Sequence, residues 1–214
     1  MEREGVVKYQ CHHRERPLPA GLNLDPLNHW RRQMLQRGMI GQSDSRYQGL
    51  GFGNISQRLP PEAMAHRPDE FIISGTQTGH LAQLDATSVA RVEHADPLTN
   101  QLWSSGDCPP SSEALSHAVI YQQRRGCGAV IHVHCPLIWQ RALELELPCT
   151  GSGIAYGTPA MANAIAQLLL RDEGIIAMLG HEDGIISYAP SLDTAAQHLI
   201  ALQAKASTLA DGCH

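Results

Sequence analysis

His132 and His134 stand two positions apart in the run 129–134, whose other members are typical of a buried β-strand. Alternate side chains of a strand point to the same face, and two residues of strand rise span about 7 Å. Both imidazoles should therefore emerge close together, which suits two ligands of one tetrahedral zinc ion with Zn–N bonds of about 2.0–2.1 Å. The alternative is a pair of partly exposed polar side chains without a metal. Burying two unpaired imidazoles among apolar neighbours costs free energy, and this favours the metal.

A zinc site needs a third protein ligand, for which His181 is the leading candidate. It follows a predicted apolar strand at 175–179 and stands beside Gly180, where a chain end can present a side chain to a cleft. Glu182 and Asp183 come directly after it and are alternatives. A single histidine at such a position is more often a surface residue, so this assignment depends on the strand pair.

A carboxylate follows the sequence Pro-Pro-Ser-Ser at 109–112, which caps a helix predicted over 113–123. In the first helical turn, Glu113 could simply complement the helix dipole. Beside a metal, it could ligate the ion or act as a general acid or base. Ser111 and Ser112 add hydroxyls and backbone N–H groups, which make this helix N-terminus a natural anion pocket.

Two glycine-rich polar turns, at 51–54 and 74–79, could wrap a phosphate with backbone amides. Neither matches the P-loop or the dinucleotide-binding fingerprint, because there is no Gly-Lys-Ser/Thr and the Gly-x-Gly spacing lacks its third glycine. Each such turn by itself is more often only a turn. The candidate binding residues in them are Gly53, Asn54, Ser74, Gly75, Thr78 and Gly79.

These residues must be positioned by elements that alternate along the chain. Helical patterns are interleaved with short apolar runs that predict strands in adjacent pairs. This order favours a mixed or antiparallel sheet layered with helices. Residues 1–22 mix charges and prolines and are predicted to be a flexible leader, and 23–214 are predicted to form one domain.

The composition is that of an ordinary globular protein: of 214 residues, 43% are hydrophobic and 17% are charged. A net charge of −5 without a basic cluster argues against nucleic acid or an anionic membrane surface as a partner. The apolar runs are too short to span a bilayer, and the charged N-terminus leads into no apolar export segment, so a cytoplasmic location is expected. The only two lysines, Lys8 and Lys205, lie near the termini, which argues against Schiff-base chemistry.

Together, these residues resemble the class II aldolase/adducin family, which includes fuculose-phosphate aldolase and ribulose-phosphate 4-epimerase. Order and spacing match over about 27–209, and Ser-Ser-Glu followed by His-x-His is the most specific part. The segments that carry the resemblance are 53–56, 74–79, 111–113, 129–134 and 181–184.

The resemblance implies a single three-layer α/β/α domain around a mostly antiparallel sheet, in a homotetramer with active sites between subunits. It implies that His132, His134 and His181 bind one Zn²⁺ per subunit, which spreads the negative charge of a ketose or enediolate. It also implies that Glu113 shuttles the proton and can ligate the metal. The residues implied to hold a substrate phosphate are Asn54, the turn at 74–79, Ser111 and Ser112.

The sequence departs from the family pattern in two places. The family usually has His-Gly at the third ligand, and an ungapped alignment on Gly184 would put Asp183 at that position. His181 is preferred because a neutral imidazole keeps the set of three histidines. The chain is also shorter than the sugar-phosphate aldolases in the region of a tyrosine acid, and Tyr156 does not align with that acid, so the proton donor stays open.

The function expected from the resemblance is a lyase of carbohydrate metabolism. It would cleave a small phosphorylated sugar or hydroxy-acid by a retro-aldol reaction through a metal-stabilised enediolate. Epimerisation, dehydration and decarboxylation use the same machinery and remain alternatives. A non-catalytic module like the adducin head is a weaker alternative, because such heads lack the metal histidines. A zinc hydrolase on an unrelated fold is a third hypothesis.

Overall fold

The computed structural model describes residues 6–19, 21–60 and 69–211. The start of the predicted leader and the last three residues of the predicted domain lie outside these ranges. The strands are β1 Gln10–Glu15, β2 Gly41–Gln42, β3 Gly51–Phe52, β4 Asn54–Arg58, β5 Phe71–Ser74, β6 Val89–Asp96, β7 Gln101–Gly106, β8 Ala129–His134, β9 Gly174–Ala177 and β10 Gly184–Ala189. The helices are α1 Asp25–Gln36, α2 Ala114–Gln123, α3 Pro136–Trp139, α4 Pro159–Leu168 and α5 Leu192–Asp211.

Eight of the strands form one sheet in the order β1-β7-β6-β5-β4-β8-β10-β9. Each neighbouring pair is antiparallel except β1 and β7, which are parallel. The small strands β2 and β3 pair separately. The predicted mostly antiparallel sheet is therefore confirmed, and β8 lies between β4 and β10 near its middle.

Helices pack through apolar side chains on both faces of the sheet, so the domain has three layers, with the sheet in the middle. On one face, Ile131 and Val133 of β8 belong to a cluster that includes residues of α1, α3 and α5. On the other face, Val130 belongs to a cluster with residues of α2 and α4. His132 and His134 alternate with Ile131 and Val133, so they lie on the face that α2 and α4 cover. None of the helices in the described residues has the length and apolar character needed to cross a membrane.

The prediction of a flexible leader at 1–22 is wrong for its central part. Residues 10–15 form β1, which pairs in register with β7 at the edge of the sheet. Tyr9, just before the strand, is buried in the cluster under α2. The apolar content of this segment is low because β1 is an edge strand, and its backbone hydrogen bonds to β7 hold it in place.

Gly53 joins β3 to β4 and requires a glycine for two reasons. Its φ is +72°, and a Cβ atom there would lie 2.7 Å from Ile40 Cγ1 and 3.1 Å from the carbonyl oxygen of His132. Left-handed backbone costs a residue with a Cβ about 1–2 kcal/mol, and the contacts add to that cost. The close packing of this turn against β8 therefore fixes where Asn54 begins its strand.

We expect Gly53→Ala to lower the free energy of unfolding by about 2 kcal/mol or more. The matched control is Gly153→Ala, because a Cβ on Gly153 would meet no atom within 4 Å. Urea denaturation of both variants measures the difference. Equal stability of the two variants would contradict the requirement for glycine at position 53.

Candidate metal centre

The two strand histidines point to the same side of β8 and are fully buried. Their Nε2 atoms are 3.2 Å apart, and the Nδ1 atom of His132 lies 3.2 Å from the carbonyl oxygen of Ile185. Two nitrogens bound to one tetrahedral zinc ion are separated by about 3.3 Å, given Zn–N bonds of about 2.0–2.1 Å. The spacing of the two imidazoles therefore fits a shared metal ion.

His181 comes to the same place from the turn between β9 and β10. The turn is closed by hydrogen bonds from the His181 N–H to the Met178 carbonyl and from the Gly184 N–H to the His181 carbonyl, each 2.9 Å long. The ring centroid of His181 lies 5.0 Å from that of His132 and 4.8 Å from that of His134. One ring nitrogen from each of the three histidines lies within 4.8 Å of the others.

The other two candidates for the third ligand lie elsewhere. The carboxylate of Asp183 accepts a 2.6 Å hydrogen bond from the Tyr47 hydroxyl, and Glu182 is exposed. Neither belongs to the cluster of ligand atoms, which His181 completes. The geometry therefore favours a set of three histidines.

Burial keeps the strand histidines neutral. It lowers the pKa of both His132 and His134 well below the usual value, and the nearby imidazole of His181 lowers it further. A metal ion binds the neutral imidazole, so these two side chains are already in the ligating form at neutral pH. Three buried histidine nitrogens leave room for a further ligand, as catalytic zinc sites do.

Glu113 lies beside this cluster, at the residue that immediately precedes α2. It is 1% exposed, and its Oε1 atom is 3.9 Å from Nδ1 of His181. The Ser116 hydroxyl donates a 3.0 Å hydrogen bond to Oε2 and orients the carboxylate. The predicted carboxylate therefore lies next to His181, one of the three histidines of the cluster.

A cleft beside the histidines brings the two predicted glycine-rich turns together. Its lining residues are Gly51, Gly53, Asn54, Gly75, Thr76, Gln77, Thr78, Gly79, Ser111 and Ser112. Asn54 is the register partner of His132, so the cleft begins one strand away from this histidine. The Oδ1 atom of Asn54 is buried and accepts no hydrogen bond from the described residues. All but one of the predicted substrate-binding residues thus line one cleft.

Ser74 is the exception, because its side chain is buried behind the cleft. The backbone N–H of Ile55 donates a 3.2 Å hydrogen bond to the Ser74 hydroxyl, which links β4 to β5.

Packing explains why the turn at 74–79 has glycine at two positions. A Cβ on Gly75 would lie 2.4 Å from Cys108 Sγ, and one on Gly79 would lie 2.2 Å from the Gly41 carbonyl oxygen.

Tyr47 was not predicted as a site residue, yet it contacts His134 and is bonded to the turn that carries His181. Its ring meets that of His134 edge-on at a centroid distance of 4.7 Å, while its hydroxyl bonds to Asp183, two residues after His181. Burial raises the pKa of Tyr47, and the hydrogen bond to Asp183 raises it further, so the hydroxyl remains a donor. Arg46 donates to the Tyr47 hydroxyl (2.9 Å) and to the His134 carbonyl (3.4 Å).

Tyr156, which does not align with the tyrosine acid of the sugar-phosphate aldolases, lies with its ring against His181. The two rings stack at a centroid distance of 4.4 Å with an interplanar angle of 18°, and the Lys8 ammonium lies 3.7 Å from the centre of the Tyr156 ring. The Tyr156 hydroxyl accepts a hydrogen bond from the Val6 N–H (3.3 Å). A cavity of about 790 Å³ opens next to these residues, and His181 and Tyr47 also line it.

The comparisons with known proteins agree with this architecture. A sequence model of the family described as Class II Aldolase and Adducin N-terminal domain matches residues 42–209. The chain belongs to this family, which confirms the resemblance inferred from its motifs. No curated protein has a matching sequence.

Solved structures share the fold at low sequence identity. The sugar-phosphate aldolase from Thermotoga maritima aligns with a TM-score of 0.63 and 12% identity, over 86% of this chain and 92% of that chain. L-fuculose 1-phosphate aldolase aligns with a TM-score of 0.58 and 17% identity, over 88% of this chain and 86% of that chain. YgbL from Escherichia coli, a proposed aldolase/epimerase/decarboxylase, aligns with a TM-score of 0.58 and 21% identity, over 85% of this chain and 84% of that chain. These structures establish the fold of the chain.

We expect Tyr47→Phe to weaken zinc binding about tenfold, because residues that orient metal ligands typically contribute this much or more. The variant keeps the ring contact with His134 and loses the hydrogen bond to Asp183. Competition with a chromophoric chelator measures the affinity. Tyr188→Phe is the control, since Tyr188 pairs with Val130 at the far end of β10 from Gly184. Unchanged zinc affinity in Tyr47→Phe would show that the hydroxyl does not position His181.

A fourth buried histidine among the described residues, His117 of α2, makes stability depend on pH. Burial lowers the pKa of His117 to about 3, and its Nδ1 atom lies 2.7 Å from the Ser56 hydroxyl. The unfolded chain takes up this proton near pH 6.5, whereas the folded chain takes it up only near pH 3. The stability contributed by neutral His117 is therefore present above about pH 6.5 and is lost as the pH falls toward 3.

We expect His117→Gln to reduce the slope of unfolding free energy against pH by about 1 kcal/mol per pH unit between pH 6 and 4. The measurement is urea denaturation at several pH values with chelator present. His29→Gln, which replaces an exposed histidine of α1, serves as the control and should leave the slope unchanged. The slope, rather than the absolute stability, separates this effect from the loss of packing around Ser56.

Proposed function

We propose that the protein is a zinc-dependent lyase of the class II aldolase type. Its substrate would be a small phosphorylated sugar or hydroxy-acid, cleaved by a retro-aldol reaction through an enediolate. The observation that carries the proposal is the convergence of three buried histidine nitrogens within 4.8 Å of one another, beside a buried carboxylate. A divalent ion bound there would act as a Lewis acid and stabilise the negative charge that develops on the substrate oxygens.

In this proposal, His132, His134 and His181 hold the ion. Glu113 moves the proton, and it can also ligate the metal. Its position supports the proton-transfer role, because the Ser116 hydroxyl binds one carboxylate oxygen and the other faces His181. A positioned acid or base of this kind typically contributes about 10²–10⁴ to the rate.

The cleft beside the histidines would hold the anionic end of the substrate. Asn54, Ser111 and Ser112 offer an amide and two hydroxyls, and the turn at 75–79 offers backbone amides. The N-terminus of α2 adds partial positive charge at the same place. Two of the structural neighbours are described as acting on phosphorylated sugars, which supports a phosphate as the group that binds there.

Related reactions remain alternatives, because epimerisation, dehydration and decarboxylation also start from a metal-stabilised anion. The neighbour from Escherichia coli is described by aldolase, epimerase and decarboxylase activities together. A non-catalytic role of the adducin-head kind is less compatible with three buried histidines around one point, since such heads need no metal ligands. We further propose a cytoplasmic homotetramer, in keeping with the family resemblance.

The experiment is an assay of the purified protein against a panel of ketose 1-phosphates, with and without chelator. We expect release of dihydroxyacetone phosphate that stops when the chelator removes zinc and returns when zinc is restored. Glu113→Gln should lower kcat at least about 100-fold while one zinc ion per subunit stays bound. Glu182→Gln, which removes an exposed carboxylate next to His181, is the matched control.

Two outcomes would overturn the zinc-dependent lyase, and a third would replace the proposed reaction. Turnover that is insensitive to the chelator would exclude the zinc mechanism. A protein without stoichiometric metal and without turnover would instead favour the non-catalytic module. Activity that appears only with epimerase, dehydratase or decarboxylase substrates would keep the metal centre and replace the retro-aldol assignment.

A further inference from the structure

Arg31 of α1 is a buried cation without a buried anion. Its side chain is 0% exposed, and it forms no ion pair with any carboxylate in the part of the chain that the structure describes. Its Nε atom donates to the Leu81 carbonyl (3.0 Å), and Nη2 donates to the Thr78 carbonyl (2.6 Å). Nη1 has no hydrogen-bond acceptor among the described residues. Burial lowers the pKa of Arg31 to about 10, so the group remains charged at neutral pH.

Such an arrangement is unfavourable for the isolated fold. Taking a guanidinium out of water costs free energy that two carbonyl dipoles only partly offset. An apolar side chain at this position of α1 would avoid the cost. An anion bound near the guanidinium would offset part of this cost, and the carbonyl of Thr78 is one of the two groups that hold the guanidinium in place.

Thr78 connects Arg31 to the cleft. The peptide between Thr78 and Gly79 is trans, so its N–H points away from the carbonyl that Arg31 contacts. The Gly79 nitrogen lies toward Gly51, where a Cβ would be 3.2 Å from it, and both glycines line the cleft. A single peptide group thus has the guanidinium on one side and the cleft on the other.

The lining of the cleft lacks a full positive charge of its own. Its described lining residues are glycines, serines, threonines, an asparagine and a glutamine, with no lysine or arginine among them. Backbone amides and hydroxyls bind a monoanion and a dianion by the same hydrogen bonds. A full positive charge behind the turn attracts the dianion more strongly, since the interaction scales with the product of the charges.

We propose that Arg31 makes the cleft selective for a dianionic phosphate monoester, acting through the Thr78–Gly79 peptide without touching the ligand. This inference rests on the proposed function, because it assigns the source of charge for the substrate site of that reaction. Arg31 is then a specificity-determining residue, and the ligand is a phosphate monoester rather than a carboxylate or a phosphodiester.

The test compares two probes at pH 8 by calorimetry: methyl phosphate, a dianion, and dimethyl phosphate, a monoanion. We expect the wild-type protein to bind methyl phosphate at least tenfold more tightly. Arg31→Met should weaken methyl phosphate at least tenfold and reduce the preference for it. Arg31→Lys keeps the charge and should keep most of the preference. Arg32→Met, an exposed neighbour on α1 with the same change in charge, should behave like the wild type.

Three results would overturn the inference: equal binding of the two probes by the wild type, an unchanged preference in Arg31→Met, or equal weakening of both probes. The last would mean that Arg31 only braces the turn. If Arg31→Met does not fold, the wild type and Arg31→Lys still decide, since loss of the preference in the lysine variant would contradict a role for charge. Measurements with and without chelator separate this test from the proposed chemistry, because dianion selectivity does not need zinc or turnover.

Discussion

Desolvation of the imidazoles is the constraint on which the rest of the site depends. In water, histidines packed this closely would repel one another whenever they became protonated. Inside the sheet, burial holds His132 and His134 in the neutral form, with their Nε2 atoms 3.2 Å apart. This arrangement is costly without a cation and favourable with one. The antiparallel pairing of β8 with β4 and β10 produces this arrangement of side chains. The third imidazole lies in the turn that precedes β10, and Asn54 of β4 pairs with His132.

The parts of the site that the sequence could predict are those controlled by short-range periodicity. Alternation along a strand is enough to put His132 and His134 on one face, whatever the rest of the fold does. The third candidate ligand could not be decided in the same way. His181 and Asp183 are two positions apart in one turn, and the φ of +60° at Asp183 and its bond to Tyr47 separate them. Tyr47 itself acts across 136 residues of sequence, and no local pattern indicates such a contact.

The fold was predictable where strands are apolar and was missed where they are polar. β5 and β8 have the composition of buried runs, whereas β1, β6 and β7 carry charged, histidine and serine side chains that hide their strand character. Their cross-strand pairing includes Arg14 and Arg16 of the β1 segment bound to Glu93 of β6. Exposed ion pairs of this kind contribute little individually, so the backbone hydrogen bonds between β1 and β7 stabilise this edge more than the ion pairs do. Such pairing depends on segments that are distant in sequence, so the local composition of these strands gives little indication of it.

The separation of charges within the site follows from the chemistry that it would perform. A lysine or arginine placed inside the cleft, close to Glu113, would form an ion pair with that carboxylate and make it a weaker base. A guanidinium behind the Thr78 peptide avoids direct contact, yet its field still reaches the cleft because the intervening medium is protein rather than water. In the proposed reaction, Glu113 would then have no direct ion pair with Arg31, while the ligand would bring its own negative charge toward the guanidinium.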